Sequence, residues 1–142
     1  MSLRFTFILP LVLIVNIVYF VSAQEKSQDE ASKYISELEK GIAGREKEPS
    51  EIVFKNIQIL KGIPAGRLLK MMQLGFSKSL GVNCVHCHDP QAWESDKKDK
   101  KEIARQMWAL TENIKKELPP ITKKKSLVNC NTCHRGEIEP SL

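Results

Sequence analysis

The chain has 142 residues, 42% hydrophobic and 27% charged, with 22 basic and 17 acidic side chains for a net charge of +5. That length suits one small domain, and the basic residues are not interleaved with aromatics, so no nucleic-acid surface is expected. The mild basic excess reads as a lysine-rich solvated surface that also suits docking on an acidic partner.

Residues 1–23 read as an export signal. Arg4 supplies the positive start, and an apolar stretch runs from Phe5 to Val21, interrupted only by Thr6, Pro10 and Asn16. Val21-Ser22-Ala23 is a small-residue cleavage site, and Gln24-Glu25-Lys26 restores polarity at once. An uncleaved anchor is the alternative, because the run approaches bilayer-spanning length. Pro10 and Asn16 favour cleavage, and no cysteine follows the run to take a lipid. Either way the protein is expected to be periplasmic or otherwise exported, and membrane-associated if the segment is kept.

Residues 24–50 form a polar N-terminal segment, within which Ala31–Lys40 predicts a short helix with Tyr34, Ile35 and Leu38 at helical spacing. Gly41–Ser50 reads as a loop. Residues 51–142 are the expected functional domain. In Ile52–Leu60 the apolar residues Ile52, Val53, Phe54, Ile57, Ile59 and Leu60 fit either a strand or a short helix, and Gly62-Ile63-Pro64 breaks the run. Pro64 then opens a helix whose face is marked by Leu68, Met72 and Phe76, and which ends at Leu80-Gly81. Asp89-Pro90 marks a turn. The longest predicted helix runs from Lys98 to Leu118, with a stripe of Ile103, Met107, Leu110, Ile114 and Leu118. Its lysine-rich start reads as a solvated face, Pro119-Pro120 as its end, and Lys123–Lys125 as a basic loop.

The chemistry sits in two short motifs, Cys84-Val85-His86-Cys87-His88 and Cys130-Asn131-Thr132-Cys133-His134. Together they use every cysteine of the chain. Cys-x-x-Cys-His is the attachment signature of c-type haem: two thiols bond the vinyl groups and the adjacent histidine faces the iron. A zinc site would explain the cysteine pairs but not the histidine after each. Disulfides within such short loops would staple almost nothing. A redox dithiol would need a thioredoxin-like strand–helix context, which is missing. The reading is therefore two covalent haems c.

The iron's sixth position separates a carrier from a catalyst. Beyond the leader the methionines are Met71, Met72 and Met107. A methionine on a helix stripe is ordinarily adaptable core filler. Here the remaining strong donor is His86, which lies inside its own haem loop and is ill placed to reach that iron's far side. Surface or propionate contact suits His86 better, and ligation of the other haem stays open.

The stretches Lys55–Ala65, Ser79–His88, Ala104–Ile114 and Asn129–Gly136 resemble the cytochrome c subunit of the photosynthetic reaction centre, over about Val53 to Gly136. Ala104-Arg105-Gln106-Met107 and Thr132-Cys133-His134-Arg135-Gly136 carry most of the likeness. The resemblance implies an all-α fold of two helix–turn–Cys-x-x-Cys-His units, with each axial methionine supplied by a helix. It places the ligands at Met72 with His88 and at Met107 with His134. The chain is similar to half of that four-haem subunit and has no lipid-anchoring cysteine, so the photosynthetic role is not carried over. The expected function is one-electron transfer between redox proteins, including a membrane electron-transfer complex, without enzymatic activity. Arg135 is a candidate partner for a haem propionate. The alternative is a di-haem peroxidase or small-molecule reductase with one open iron.

Overall fold

The computed structural model describes residues 30–123 and 127–140, with the backbone alone at positions 120 and 122. The leader and the lysines at 124 and 125 lie outside the described residues. Among the described residues the regular structure is helical, with no strand. None of the helices there is long and apolar enough to cross a membrane.

The first helix covers residues 30–41. Ile35 on this helix and Ile42 just past it, one helical face seven residues apart, are buried against Ala65 and Leu69, with Leu38, Val53 and Phe54 around them. A single turn follows at Ser50–Val53. Ser50 is fully buried: its Oγ donates to the Leu60 carbonyl at 2.7 Å, and its N–H to Ile63 at 2.8 Å. The Glu51 carboxylate accepts the Gly62 N–H at 2.8 Å. These bonds pin both ends of a wrap over residues 54–62.

The wrap resolves the ambiguity of Ile52–Leu60. After the short turn the chain is neither strand nor helix, and Asn56 and Leu60 hold left-handed backbone at φ 58° and 62°. Its apolar side chains line a cleft instead of a sheet or helix face.

The predicted Pro64–Gly81 helix forms, with Pro64 as the capping residue and Gly81 left-handed at φ 66°. It is α-helical over Ala65–Lys70, opens into a π-helical stretch over Met71–Ser77, and closes as α over Lys78–Leu80. The sequence did not announce the π stretch. Its physical effect is clear: residues four apart drift around an α-helix, and a wider turn cancels the drift. Leu68, Met72 and Phe76 consequently all reach the same cleft.

The long helix spans Asp99–Thr122 and corrects three expectations. First, it runs through Pro119-Pro120. Proline's fixed φ is compatible with helix, and the two missing N–H groups cost only the bonds to the carbonyls of residues 115 and 116, near the helix end. Termination comes from Lys123, left-handed at φ 57°. Second, the first part of the expected stripe is not its packed face: Ile103, Met107 and Leu110 are 48%, 40% and 50% exposed, while Ile114 and Leu118 are half-buried. The packed flank runs through Ala104, Arg105 and Trp108, which stacks on Phe76 at 6.1 Å between centroids. Third, its lysines are not all solvated. Lys98 and Lys101 turn back onto the carbonyls of residues 85, 88, 93 and 95.

The second motif forms a short helix, Cys130–His134, opened by a reciprocal capping box between Asn129 and Thr132. It packs on the end of the Met72 helix. There Gly136 donates its N–H to the Ser79 carbonyl at 2.9 Å, and a Cβ on Gly81 would lie 2.0 Å from the Gly136 carbonyl oxygen. Two glycines thus let the residues before one motif touch those after the other.

Candidate functional site

The first motif opens into an apolar cleft of about 360 Å³, within the range of small-molecule and cofactor pockets. The Met72 helix supplies Leu68, Met72 and Phe76, and the motif supplies Cys84, Cys87 and His88. The wrap and the Ala104–Arg105 flank of the long helix close the sides. The sequence-predicted residues of the first site are therefore brought together. Met71 and His86 do not line this cleft.

Both motif histidines are held alike. His88 Nδ1 lies 3.0 Å from the Trp93 carbonyl, and His134 Nδ1 lies 3.1 Å from the Glu137 carbonyl. A carbonyl only accepts, so in the neutral ring Nδ1 carries the proton and Nε2 keeps its lone pair. Burial lowers the His88 pKa, and the cations Lys101, Lys98 and Arg105 lower it further, favouring that neutral form. The His88 ring also rests on Trp93 at 5.6 Å, and Trp93 takes the edge of Tyr34 at 5.4 Å.

No disulfide joins the four cysteines. Burial pushes the Cys84, Cys87 and Cys130 thiols up. Among the described residues, no three His, Cys, Asp or Glu side chains converge as metal donors.

The edge of the cleft holds a polar cluster that the sequence reading passed over. Asp96 accepts from Arg105 at 2.8 Å, Asn56 at 2.9 Å and Lys101 at 3.2 Å. Led by Arg105, these donors hold the Asp96 carboxyl far below its ordinary range. Arg105 also pairs with Glu102 at 3.0 Å, and its side chain is 10% exposed. The spacing of Lys98, Lys101 and Arg105 puts them on one helix face, the signal that would have found them.

The second site is built differently. His134 is 9% exposed and Cys133 is exposed. The motif packs on the Met72 helix more than on the long helix, leaving Met107 on the open stripe. Lys115 bridges the two regions: it lies 5.3 Å over the Trp108 ring, and its charge lowers the Cys130 thiol against the larger effect of burial. Arg135 is exposed, in the left-handed position that ends the motif helix at φ 51°.

Three curated relatives share part of this chain. Cytochrome c-554 of Chloroflexus aurantiacus is 33% identical over 85 residues, covering 57% of this chain and 20% of its own. The photosynthetic reaction center cytochrome c subunit of Thermochromatium tepidum is 30% identical over 89 residues, 62% of this chain and 22% of its own. That of Roseobacter denitrificans is 31% identical over 97 residues, 63% of this chain and 26% of its own. The matched segments span about a fifth to a quarter of the length of these relatives. No solved structure matches. The family model for the photosynthetic reaction centre cytochrome c subunit matches residues 17–142, and the chain belongs to that family.

Proposed function

We propose that the protein is an exported di-haem c-type cytochrome that transfers electrons one at a time between redox proteins. The observation that carries this reading is the first cleft, where Met72, Cys84, Cys87 and His88 border one apolar space. The donor set suits a flat, largely apolar group. Cys84 and Cys87 are buried enough to stay neutral thiols, each able to add its sulfur and hydrogen across one vinyl double bond. His88 offers Nε2 from one side, and Met72 is the thioether on the cleft wall.

The second motif repeats the chemistry with Cys130, Cys133 and His134. The apolar surface of Ile103, Met107 and Leu110 supports Met107 as its thioether ligand, because a large apolar plate would cover what is otherwise exposed. Haem bound at each motif supplies an iron that gains and loses one electron. His/Met ligation closes both iron faces, so this reading has no bound substrate and no enzymatic step. The chain's mild basic excess suits the negative haem propionates or an acidic redox partner.

The test is a haem count and visible spectrum on protein expressed with a cytochrome maturation system. Two haems per chain, low-spin in both oxidation states with a weak long-wavelength methionine–ferric band, is the expected result. One high-spin iron that binds carbon monoxide without denaturation would move the assignment to an enzyme. No covalent haem would overturn the reading.

A further inference from the structure

The two motif histidines differ in what else their acceptor carbonyls touch. The Trp93 carbonyl receives two donors: His88 Nδ1 at 3.0 Å and the Lys101 ammonium at 3.2 Å. Lys101 is fixed there, since its other donors reach Ser95 O at 3.1 Å and Asp96 Oδ1 at 3.2 Å and its side chain is 13% exposed. Among the described residues, no lysine donates to the Glu137 carbonyl that holds His134.

Resting on the proposed ligation by His88, we infer that Lys101 is a positioning residue that raises the reduction potential of the first haem through the Trp93 carbonyl. The carbonyl oxygen that accepts from an ammonium has less lone-pair density left for a second donor. The His88 N–H···O bond is weakened, the imidazole keeps less imidazolate character, and it donates less to the iron. An electron added to that iron is then better tolerated than the extra positive charge of the ferric state. The direct field of the ammonium acts in the same direction. Among the described residues the second site has the histidine–carbonyl bond without this competitor, so Lys101 acts on the first haem and separates its potential upward from the second. This gives electron flow a direction inside the protein.

The test uses the full holoprotein, after the haem count shows two per chain. Spectroelectrochemical titration gives both midpoints, and a variant lacking both first-site cysteines identifies the second haem's value. Lys101→Met is expected to shift the first haem's one-electron equilibrium toward ferric by about tenfold, which is about 59 mV, and to leave the second in place. In the ferrous protein the His88 ring N–H proton should move downfield as its bond to the freed carbonyl strengthens. Lys101→Arg should restore both readouts in part. Lys98→Met removes a neighbouring cation that bonds the Val85 and His88 carbonyls but not Trp93. It should lower the midpoint less and leave the ring proton where it was.

Lys101→Gln carries the test if the methionine variant fails to mature. Two bound haems with an unmoved first midpoint and ring proton in Lys101→Met would overturn the inference. So would a Lys98→Met variant that moves both readouts as far. Loss of the first haem in both the methionine and glutamine variants would make Lys101 a folding residue and also overturn it. Fewer than two haems in the parent protein would overturn the ligation reading itself, a failure seen before any potential is measured.

Discussion

One motif borders a cleft, and the other packs on the Met72 helix with its histidine buried and leaves Cys133 exposed, although both use the same spacing and hold their histidines by the same Nδ1-to-carbonyl bond. The difference lies in what surrounds the five residues. Upstream of Cys84 the chain spends an apolar wrap, pinned by Ser50 and Glu51, and a helix widened by a π stretch to turn Leu68, Met72 and Phe76 inward. Upstream of Cys130 it has the C-terminal half of the long helix and a basic segment, and Met107 stays 40% exposed. A motif defines which atoms can react; the preceding segments decide what lies across from them.

The largest expected effects come from the cysteines. Replacing Cys84 and Cys87 with alanine should remove one covalent haem and leave one, as should replacing Cys130 and Cys133. Mass spectrometry of the denatured chain gives the count directly. If either double variant keeps two haems, or loses both, the idea of two separate sites fails.

Next come the thioethers. Met72→Ala and Met107→Ala should each abolish half of the methionine–ferric band and make one iron high-spin. The contrast in walls sharpens the expectation: carbon monoxide should reach the iron opened by Met107→Ala faster than the one opened by Met72→Ala, because Leu68, Phe76 and the wrap also close around Met72. Equal rates in flash photolysis would erase the distinction between cleft and face.

A third change strikes where the two regions meet. Alanine at Gly81 would hold φ 66° and put its Cβ 2.0 Å from the Gly136 carbonyl oxygen, a backbone atom that cannot swing away. The strain should cost about 2 kcal/mol or more. Thermal unfolding of the holoprotein should move down, and both haems should respond together, since the contact joins their units. Gly136→Ala meets no atom at its Cβ and suffers only from its φ of 95°, so it should be the milder variant. The reverse order would show that the close approach is not what holds the units together.

Much of this was legible in the sequence because it rests on local rules. The proline and glycine that bound the Met72 helix, the turn at Asp89-Pro90 and the helix around Ile35 all follow from residue chemistry within a few positions. The motifs carried their own meaning through spacing. What stayed hidden depends on tertiary context. The π stretch contains no proline, and Gly75 within it does not by itself specify a wider turn, since an isolated glycine is tolerated in an α-helix. The stripe Ile103–Met107–Leu110 has a clean helical period, yet the helix packs by its neighbouring flank, because period shows that a face exists and not what it meets. Lys98 and Lys101 looked like solvent residues by type; their carbonyl partners come from a turn that only the fold brings near.

The smallest effect concerns Asp96, which ties the wrap to the long helix at the edge of the first cleft alone. Its carboxylate is partly exposed, so the pairs it makes with Arg105 and Lys101 are screened, and exposed pairs are typically worth less than about 1 kcal/mol. The sign is nonetheless fixed. The folded-state pKa is depressed, chiefly by Arg105, so the stabilisation is present above the ordinary aspartate pKa of about 3.9 and is lost as pH falls toward the folded value. Asp96→Asn should therefore melt slightly lower than the parent protein at pH 7, with the gap closing below about pH 4. Followed by absorbance rather than by overall unfolding, the loss should show at the first haem and not at the second, because Asn56, Gln58, Lys101 and Arg105 all border the first cleft. A gap that stays constant from pH 7 to pH 3, or one shared equally by both haems, would mean that the cluster is not a local clasp on that cleft.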